Sequence, residues 1–308
     1  MKRFADELLL RLEERGYQGR IVSVQHLHDL QKEIKGRYRQ GLFDKEFYHE
    51  RLAWFDFRLP DSLPEAKSLI VVAVPRPQSQ AVFMWKGESR ELIIPPTYVA
   101  YEETRKTVED LLAGILNTSG YRVSRTKLPL KLLAVRSGLG LYGRNNICYV
   151  PRMGSFLQIV AVYSNLPCKK DSWREAQMMK RCVNCHACLL KCPTGAIPAD
   201  RFLLRAERCV VFHNERKGEI PFPDWMNPSW HNCLVGCILC QKVCPENKDF
   251  LQWFEGKEEF SQEETALLLE GAILDQLPVD TVSKLKKLEL IEYLDNLQRN
   301  LGVFLKKS

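Results

Sequence analysis

The feature that most constrains this chain is a run of four cysteines from Cys182 to Cys192, which reads C-V-N-C-H-A-C-L-L-K-C and is followed by proline. The spacing C-x2-C-x2-C-x3-C-P is the one with which bacterial ferredoxins hold [4Fe–4S] clusters. A second run, Cys237-x2-Cys240-x3-Cys244-Pro, follows further along the chain. Two such runs predict two clusters, and they predict a protein that moves single electrons.

In two-cluster ferredoxins the last cysteine of each run binds the cluster of the other run. This rule predicts one cluster on four cysteines, namely Cys182, Cys185, Cys188 and Cys244. It predicts three ligands of the second cluster, namely Cys192, Cys237 and Cys240. Regular spacing would place the missing fourth ligand at position 234, where leucine stands. Cys209 and Cys233 are both candidates, and spacing alone does not choose between them.

The composition is that of a globular protein. Of 308 residues, 45% are hydrophobic, which is enough for one large or two modest domains. No apolar run approaches the roughly 18 residues that cross a bilayer, and the first residues lack the cleavage site of a signal peptide. We therefore expect a cytoplasmic protein with no membrane contact. Eleven cysteines in such a chain favour metal binding over disulfides.

The net charge of +7 is unevenly distributed. Between residues 121 and 170 there are nine Lys or Arg and no Asp or Glu. A stretch of this kind is often only a solvated basic face. It is also typical of a surface that binds a phosphate-bearing cofactor or an RNA backbone, and the absence of acids favours that interpretation.

Hydrophobic periodicity divides the chain into three predicted parts. Helices and strands alternate over residues 1–165, which predicts an α/β domain. Residues 166–250 are rich in cysteine and loops and form the predicted cluster domain, and residues 251–308 are predicted to be C-terminal helices.

Three local predictions concern the first 165 residues. Residues 1–60 are expected to be helical, and residues 76–98, which contain several prolines, are expected to form an irregular loop. Residues 146–150 and 156–163 are expected to pair as strands of a hairpin.

Several segments occur in a fixed order along the chain. They are L-P-E-A-K-S-L-I-V-V-A-V-P at 63–75, S-G-L-G-L-Y-G-R-N-N-I-C-Y-V at 137–150, G-S-F-L at 154–157, the first cysteine run, R-C-V-V-F at 208–212, and G-C-I-L-C-Q-K-V-C-P-E-N at 236–247. In this order they resemble the epoxyqueuosine reductase family, which is related to the reductive dehalogenases. The resemblance covers roughly residues 60–250.

The resemblance implies an α+β protein with a nitroreductase-like domain that binds cobalamin and a ferredoxin-like domain with two [4Fe–4S] clusters. It implies that electrons from a donor such as ferredoxin or flavodoxin pass through the clusters to cobalt. Low-valent cobalt would then remove the epoxide oxygen from a queuosine precursor in tRNA. The resemblance also implies that Cys209 completes the second cluster, which leaves Cys233 as an extra cysteine.

The expected cobalamin contacts lie in the S-G-L-G-L-Y-G-R-N-N segment, and they are Gly138, Gly140, Tyr142, Gly143, Arg144 and Asn145. Glycines permit close approach of the backbone to a bulky ring. The alternative interpretation is that the glycines only cap a helix and form a tight turn.

The chain departs from the family pattern at two places. The family has an Asp about fourteen residues before the G-L-G element that is thought to protonate the substrate, whereas counting back from Gly138 leads to Ser124 or Arg125. Serine is too weak an acid for this task, and arginine could stabilise an oxyanion without donating a proton. Only about fifty helical residues follow the clusters, where family members often carry helical repeats that grip tRNA.

Two further functions therefore remain open beside the reductase. One is an electron-transfer protein or corrinoid reductase that acts on a partner other than tRNA. The other is an RNA-binding protein whose clusters are structural, which the basic stretch supports.

Overall fold

The computed structural model describes residues 2–305, with side chains from residue 4 onward. The chain forms two compact units. The first unit contains the residues up to Pro75 together with Glu102–His186 and Ala199–Leu204. The second unit contains Arg76–Tyr101, Ala187–Pro198 and the residues from Arg205 onward.

The secondary structure is mixed. The strands are β1 (Gln18–Ser23), β2 (Ser68–Pro75), β3 (Gln78–Trp85), β4 (Glu88–Ile94), β5 (Val123–Arg125), β6 (Leu141–Tyr142), β7 (Cys148–Tyr149), β8 (Leu157–Ser164) and β9 (Phe254–Phe260). The helices are α1 (Lys2–Glu13), α2 (Leu27–Arg39), α3 (Lys45–Arg51), α4 (Tyr101–Asn117), α5 (Leu130–Arg136), α6 (Ala187–Lys191), α7 (Val210–Asn214), α8 (Leu239–Lys242), α9 (Gln262–Glu270), α10 (Val279–Lys287) and α11 (Leu294–Leu305).

The first unit is built on a four-stranded sheet in the order β1-β2-β8-β5. Each neighbouring pair is antiparallel, so helices and strands alternate along the chain without forming a parallel sheet. The predicted α+β class is confirmed.

Both faces of this sheet are buried, which explains the continuous apolar sequence of β2. Because side chains alternate across a strand, Leu69 and Val71 pack into one core with α2 and α5, while Ile70 and Val72 pack into the other core with α1 and α4.

The prediction that residues 1–60 are helical is wrong for β1, which pairs with β2. This strand is only six residues long, and Gly19 in its middle weakens the strand signal. The glycine is needed because α1 packs closely there, and a Cβ at Gly19 would lie 2.7 Å from Leu12 Cδ1.

The expected hairpin of residues 146–150 and 156–163 is also wrong in its pairing. β7 pairs with β6, and β8 pairs with β2 and β5 inside the main sheet. The two segments are neighbours in sequence, but only the second is long and apolar enough for a central strand.

The second unit contains a three-stranded sheet in the order β4-β3-β9. The predicted irregular loop at 76–98 is wrong, because β3 and β4 form a regular antiparallel hairpin. Its turn residues, Lys86 and Gly87, both have positive φ, as a type I′ hairpin turn requires. The prolines that suggested a loop lie outside the two strands or at their ends, where they interrupt no pairing.

Apolar side chains of this sheet face the C-terminal helices. Phe83 of β3 stacks on Phe260 of β9 with ring centroids 4.8 Å apart. The core continues into α9, α10 and α11, through residues such as Leu268, Leu285 and Leu301. The predicted C-terminal helices are present from Gln262 onward, but the prediction for residues 251–308 is wrong at its start, which contains β9, and α10 begins directly after Pro278.

Candidate iron–sulfur centre

The cysteines predicted as cluster ligands lie on short helical turns. Cys182 lies in a 3-10 turn, Lys180–Val183, and Cys188 lies in α6. Cys209 directly precedes α7, and Cys240 lies in α8. Turns of this kind let successive thiols face one side, which is the arrangement that a cluster-binding run needs.

The ligands predicted for the second cluster all belong to the second unit, and they are Cys192, Cys209, Cys237 and Cys240. Burial most strongly, and the charges of Cys237 and Cys192 after it, raise the pKa of the Cys209 thiol to about 12. A thiol that senses both of these cysteines lies among them. This placement supports Cys209 as the fourth ligand, which stays a prediction.

Cys233, the alternative ligand, is in a different situation. Its side chain is fully buried, and burial first and the charge of Cys237 second raise its pKa. Its Sγ lies 3.3 Å from Oδ1 of Asn232 and donates a hydrogen bond to it. The thiol is therefore already used as a donor within the protein.

The chemistry of these residues fits a cluster. Iron binding replaces the thiol protons, so a buried thiol with a raised pKa is stabilised as thiolate only when metal is present. Polar groups lie at the sulfurs, with Asn232 Nδ2 at 3.1 Å from Cys237 Sγ and Thr194 Oγ1 at 3.5 Å from Cys192 Sγ. Among the described residues no group of three or more His, Cys, Asp or Glu side chains is placed so that it could hold a metal ion.

A buried hydrogen-bond network connects the two chain segments that carry Cys209 and Cys237. Asn214, at the end of α7, bonds to both backbone groups of Gly236, with Nδ2 to O at 2.6 Å and Oδ1 to N at 3.0 Å. Asn300 of α11 donates to the carbonyl of Asn214 at 2.8 Å. Asn214 and Asn300 are 0% and 1% exposed, so these bonds form away from solvent.

Arg299 holds the loop that follows α7. Its guanidinium donates to five backbone carbonyls, those of His213, Asn214, Arg216, Lys217 and Ile220. It also lies over the ring of Phe222 at 4.4 Å. Burial lowers the pKa of Arg299 to about 10, which leaves it charged near neutral pH. The role of Arg299 is not evident from the sequence, because the contacts join residues about eighty positions apart.

The glycines of the S-G-L-G-L-Y-G-R-N-N segment are explained by packing within the first unit. Gly138 follows α5 with φ of +76°. A Cβ at Gly140 would lie 2.6 Å from Cys148 Sγ, and one at Gly143 would lie 2.5 Å from Asn145 Oδ1 and 2.6 Å from Tyr149 Cε2. A side chain at Gly140 or Gly143 would thus collide with atoms of the protein itself, so packing within the first unit already requires glycine at both positions, and the contacts to cobalamin stay a prediction.

Two other expected cobalamin contacts are also enclosed. Asn145 is 4% exposed and donates to the Tyr149 hydroxyl at 3.0 Å. Tyr142 is 6% exposed, and burial raises the pKa of its hydroxyl. The backbone of Tyr142 bonds to Gln177 and Met179, so the segment before the first cysteine run lies along it.

Arg144 connects this segment to the first cysteine run. Its Nη2 donates to the carbonyl of Cys182 at 2.8 Å. Longer hydrogen bonds run from its Nε to the same carbonyl and from its Nη2 to the carbonyl of Val183. Asn146, two residues further along the chain, donates from Nδ2 to Phe202 O and accepts from the N–H of Leu204. In this structure the segment therefore positions the backbone at Cys182.

The two residues at the position of the family acid have partners of their own. The hydroxyl of Ser124 lies 2.7 Å from that of Ser62. Arg125 Nε donates to Glu109 Oε2 at 2.8 Å. Glu109 of α4 lies outside the acid-free stretch in sequence, and the fold brings its carboxylate to Arg125, which the sequence alone does not predict.

Among the described residues no helix combines the length and the apolar character that crossing a membrane requires.

The fold and the cysteines define the class of this protein, an α+β iron–sulfur protein with a double-cluster region. The family described as "4Fe-4S double cluster binding domain" matches residues 181–247. The predicted pair of [4Fe–4S] clusters is confirmed by this match.

In sequence, the chain is similar to epoxyqueuosine reductases. It is 31% identical to that of Bacillus subtilis (strain 168) over 196 residues, which are 60% of this chain and 49% of the relative. It is 28% identical to that of Staphylococcus aureus (strain NCTC 8325 / PS 47) over 61% of this chain and 50% of the relative. The chain thus spans about half the length of the curated relatives it matches.

Solved structures of epoxyqueuosine reductases share the fold. The structure from Streptococcus thermophilus matches with a TM-score of 0.66 at 19% identity, over 96% of this chain and 79% of that chain. A Bacillus subtilis structure, whose catalytic aspartate loop is swung out of the active site, matches with a TM-score of 0.64 at 21% identity, over 98% and 81%. The resemblance to the epoxyqueuosine reductase family is confirmed.

Proposed function

We propose that this protein is an iron–sulfur oxidoreductase of the epoxyqueuosine reductase type, which passes single electrons through two clusters to a modified nucleoside of tRNA. The observation that carries this proposal is the presence, in one chain, of a double-cluster region and of the fold of those enzymes. A neighbour that was solved with an epoxyqueuosine-modified tRNA-Tyr stem loop has the same fold, which supports tRNA as the partner. We expect the reaction to take place in the cytoplasm.

The placement of the predicted ligands supports a separate role for each cluster. The ligands predicted for the second cluster lie within the second unit. In the first unit Arg144 ties Cys182, a predicted ligand of the first cluster, to the S-G-L-G-L-Y-G-R-N-N segment. We therefore propose that a donor such as ferredoxin or flavodoxin reduces the second cluster, and that the first cluster passes the electron on.

Cobalamin is part of the proposal because of the resemblance to the family. When bound, it would supply low-valent cobalt for a reduction in which the epoxide takes up two electrons and two protons and its oxygen leaves as water. Of the six expected contacts, Gly138 and Arg144 keep part of their surface exposed, whereas Gly140, Tyr142, Gly143 and Asn145 are packed inside the first unit. We propose contacts to Gly138 and Arg144 and derive no step through the cofactor.

Protonation of the substrate is the step that the chain supports least. Opening an epoxide requires a proton donor near the developing alkoxide. Ser124 is bonded to Ser62, and Arg125 is paired with Glu109. This observation favours the second candidate function, an electron-transfer protein or corrinoid reductase that acts on a partner other than tRNA.

Complementation of a queuosine-deficient host strain separates the two functions, because restored queuosine excludes a pure electron carrier. The purified, anaerobically reconstituted chain is also given epoxyqueuosine tRNA, cobalamin and a chemical reductant, and the nucleoside is analysed by mass spectrometry for the loss of one oxygen. Conversion supports the reductase. Rapid reduction of cobalamin without conversion of the nucleoside supports the corrinoid reductase, and a Cys188→Ser, Cys240→Ser double variant is the control without intact clusters.

A third candidate function is that of an RNA-binding protein whose clusters are structural. It predicts tRNA binding that weakens steeply with salt, together with no electron transfer to any acceptor. Binding measured between low and physiological salt, with and without chemical reduction of the clusters, tests this case.

A further inference from the structure

Asn232 occupies a particular place beside the second cysteine run. It lies five residues before Cys237, and its Nδ2 is 3.1 Å from the sulfur of that cysteine. The same Nδ2 group donates to the carbonyl of Trp230 at 3.1 Å. Both hydrogens of the side-chain amide are thus directed, one of them at a predicted cluster sulfur.

The acceptor end of Asn232 fixes the orientation of the amide. Its Oδ1 accepts from the backbone N–H of Ile238 at 3.0 Å and from the Cys233 thiol at 3.3 Å. An asparagine has two donors and two acceptor positions, and here all four have partners. A flipped amide would set Oδ1 against the Trp230 carbonyl and the NH₂ group against the Ile238 N–H, so only one orientation is compatible with the surroundings.

We propose that Asn232 is a positioning residue that sets the reduction potential of the second cluster, through an N–H···S hydrogen bond to Cys237. Reduction adds an electron whose negative charge spreads onto the cluster sulfurs. A hydrogen-bond donor at a sulfur stabilises the reduced state more than the oxidised state, because its interaction with the larger negative charge is stronger. Hydrogen bonds to the sulfurs are among the factors that set cluster potentials.

This role accounts for Cys233 as well. A thiol that donates to Asn232 Oδ1 does not bind iron, but it helps to hold the amide in the orientation that serves the sulfur. The hydrogen bonds of Asn232 to Trp230, Cys233 and Ile238 therefore affect the cluster through the orientation of the Asn232 amide. The inference rests on the second cluster of the proposed function and not on its tRNA substrate.

The test is a redox titration of the complete, anaerobically purified chain, followed by electron paramagnetic resonance. Asn232→Asp keeps the size and the acceptor but removes the N–H donor and adds negative charge. Asn232→Leu removes both polar ends. Asn227→Leu, in the same loop, is the matched control, because Asn227 is exposed and its side-chain Oδ1 accepts hydrogen bonds from the backbone N–H and the hydroxyl of Ser229.

We expect both Asn232 variants to lower the potential of the second cluster, with the larger shift in Asn232→Asp. At a fixed potential the ratio of reduced to oxidised second cluster should fall on the order of tenfold, which corresponds to about 59 mV for a one-electron couple. The potential of the first cluster and both potentials of Asn227→Leu should stay unchanged. An unchanged second cluster in Asn232→Asp, or an equal shift in Asn227→Leu, overturns the proposal.

A second measurement on the wild-type chain covers the case in which the variants fail to assemble. Protein labelled with 15N at asparagine should show a 15N hyperfine coupling at the reduced second cluster, and the absence of that coupling overturns the proposal. Iron content and the two cluster signals of the wild type report separately on the proposed function. A missing second signal contradicts the proposed electron path, whereas two normal signals with no effect of Asn232 contradict only the inference.

Discussion

Asn214 bonds to both backbone groups of Gly236, through Nδ2 to the carbonyl at 2.6 Å and through Oδ1 to the N–H at 3.0 Å. The pair connects α7, which begins after Cys209, with the residue that precedes Cys237. Two predicted ligands of one cluster are therefore held by a single buried side chain. The network continues to α11 through Asn300, so the C-terminal helix supports the cluster region of the second unit.

Replacing Asn214 with leucine should selectively remove the second cluster. The substitution leaves the N–H and the carbonyl of Gly236 unpaired in a buried site, which costs about 1–3 kcal/mol for each group. We expect the iron content to fall from about eight to about four atoms per chain, since each cluster holds four. Asn117→Leu, at an exposed position of α4, should keep the full iron content, and equal iron in both variants would contradict the prediction.

The fourth ligand of the second cluster can be identified by a pair of substitutions. Cys209→Ser should abolish or strongly alter the signal of the second cluster, because Cys209 lies with Cys192 and Cys237. Cys233→Ser should keep a four-iron signal, because the serine hydroxyl can still donate to Asn232. Iron analysis and low-temperature electron paramagnetic resonance distinguish the two, and loss of the cluster in Cys233→Ser alone would reverse the assignment.

The cysteine runs could be read from the sequence because ligand spacing is a local property of a turn. Spacing alone did not choose between Cys209 and Cys233, because the chain segments that carry Cys209 and Cys237 are brought together by tertiary contacts such as those of Asn214 with Gly236. The glycines at 140 and 143 suggested a cofactor contact. Cys148 and Tyr149 lie beside these glycines because β6 pairs with β7, and this pairing is not evident from the sequence.

Other differences have a similar cause. The hairpin of β3 and β4 was hidden by prolines that lie outside the strand pairing, although its alternating apolar residues Ala81 and Phe83 do face the core. Glu109 could not be expected near Arg125 from a stretch that contains no acid, because α4 brings it there. Local patterns thus predicted elements and ligands, whereas pairing and neighbours depended on tertiary structure.

We expect Arg144 to support the first cluster, and not only to bind tRNA or substrate. Arg144→Met removes the donors to the Cys182 carbonyl, of which the bond from Nη2 is 2.8 Å long. We expect a broadened or diminished signal from the first cluster and an unchanged signal from the second. Arg122→Met, an exposed arginine of the same basic stretch that is paired with Glu65, is the control. A normal first-cluster signal in Arg144→Met would show that this contact does not position the run.

The stability of the C-terminal helices should depend on pH through Glu264. Burial by itself would raise the pKa of this carboxyl, but hydrogen bonds from Lys284, the Ser261 amide and Thr281 outweigh burial and lower it. Lys284 Nζ lies 2.6 Å and Thr281 Oγ1 2.8 Å from the carboxylate. Because the pKa in the folded state is below that of the unfolded chain, the carboxylate stabilises the fold above the unfolded value of about 4.3.

This contribution is lost as the pH falls through the folded value of Glu264. Glu264→Gln should therefore lower the melting temperature at pH 7, and the difference from wild type should shrink below about pH 4. Thermal unfolding monitored by circular dichroism across this range measures both effects. Glu270→Gln, at an exposed position of the same helix, should show a much smaller difference at pH 7. A Glu264→Gln difference that stays constant from pH 7 to acid pH would mean that lost packing, and not the charge, accounts for the effect.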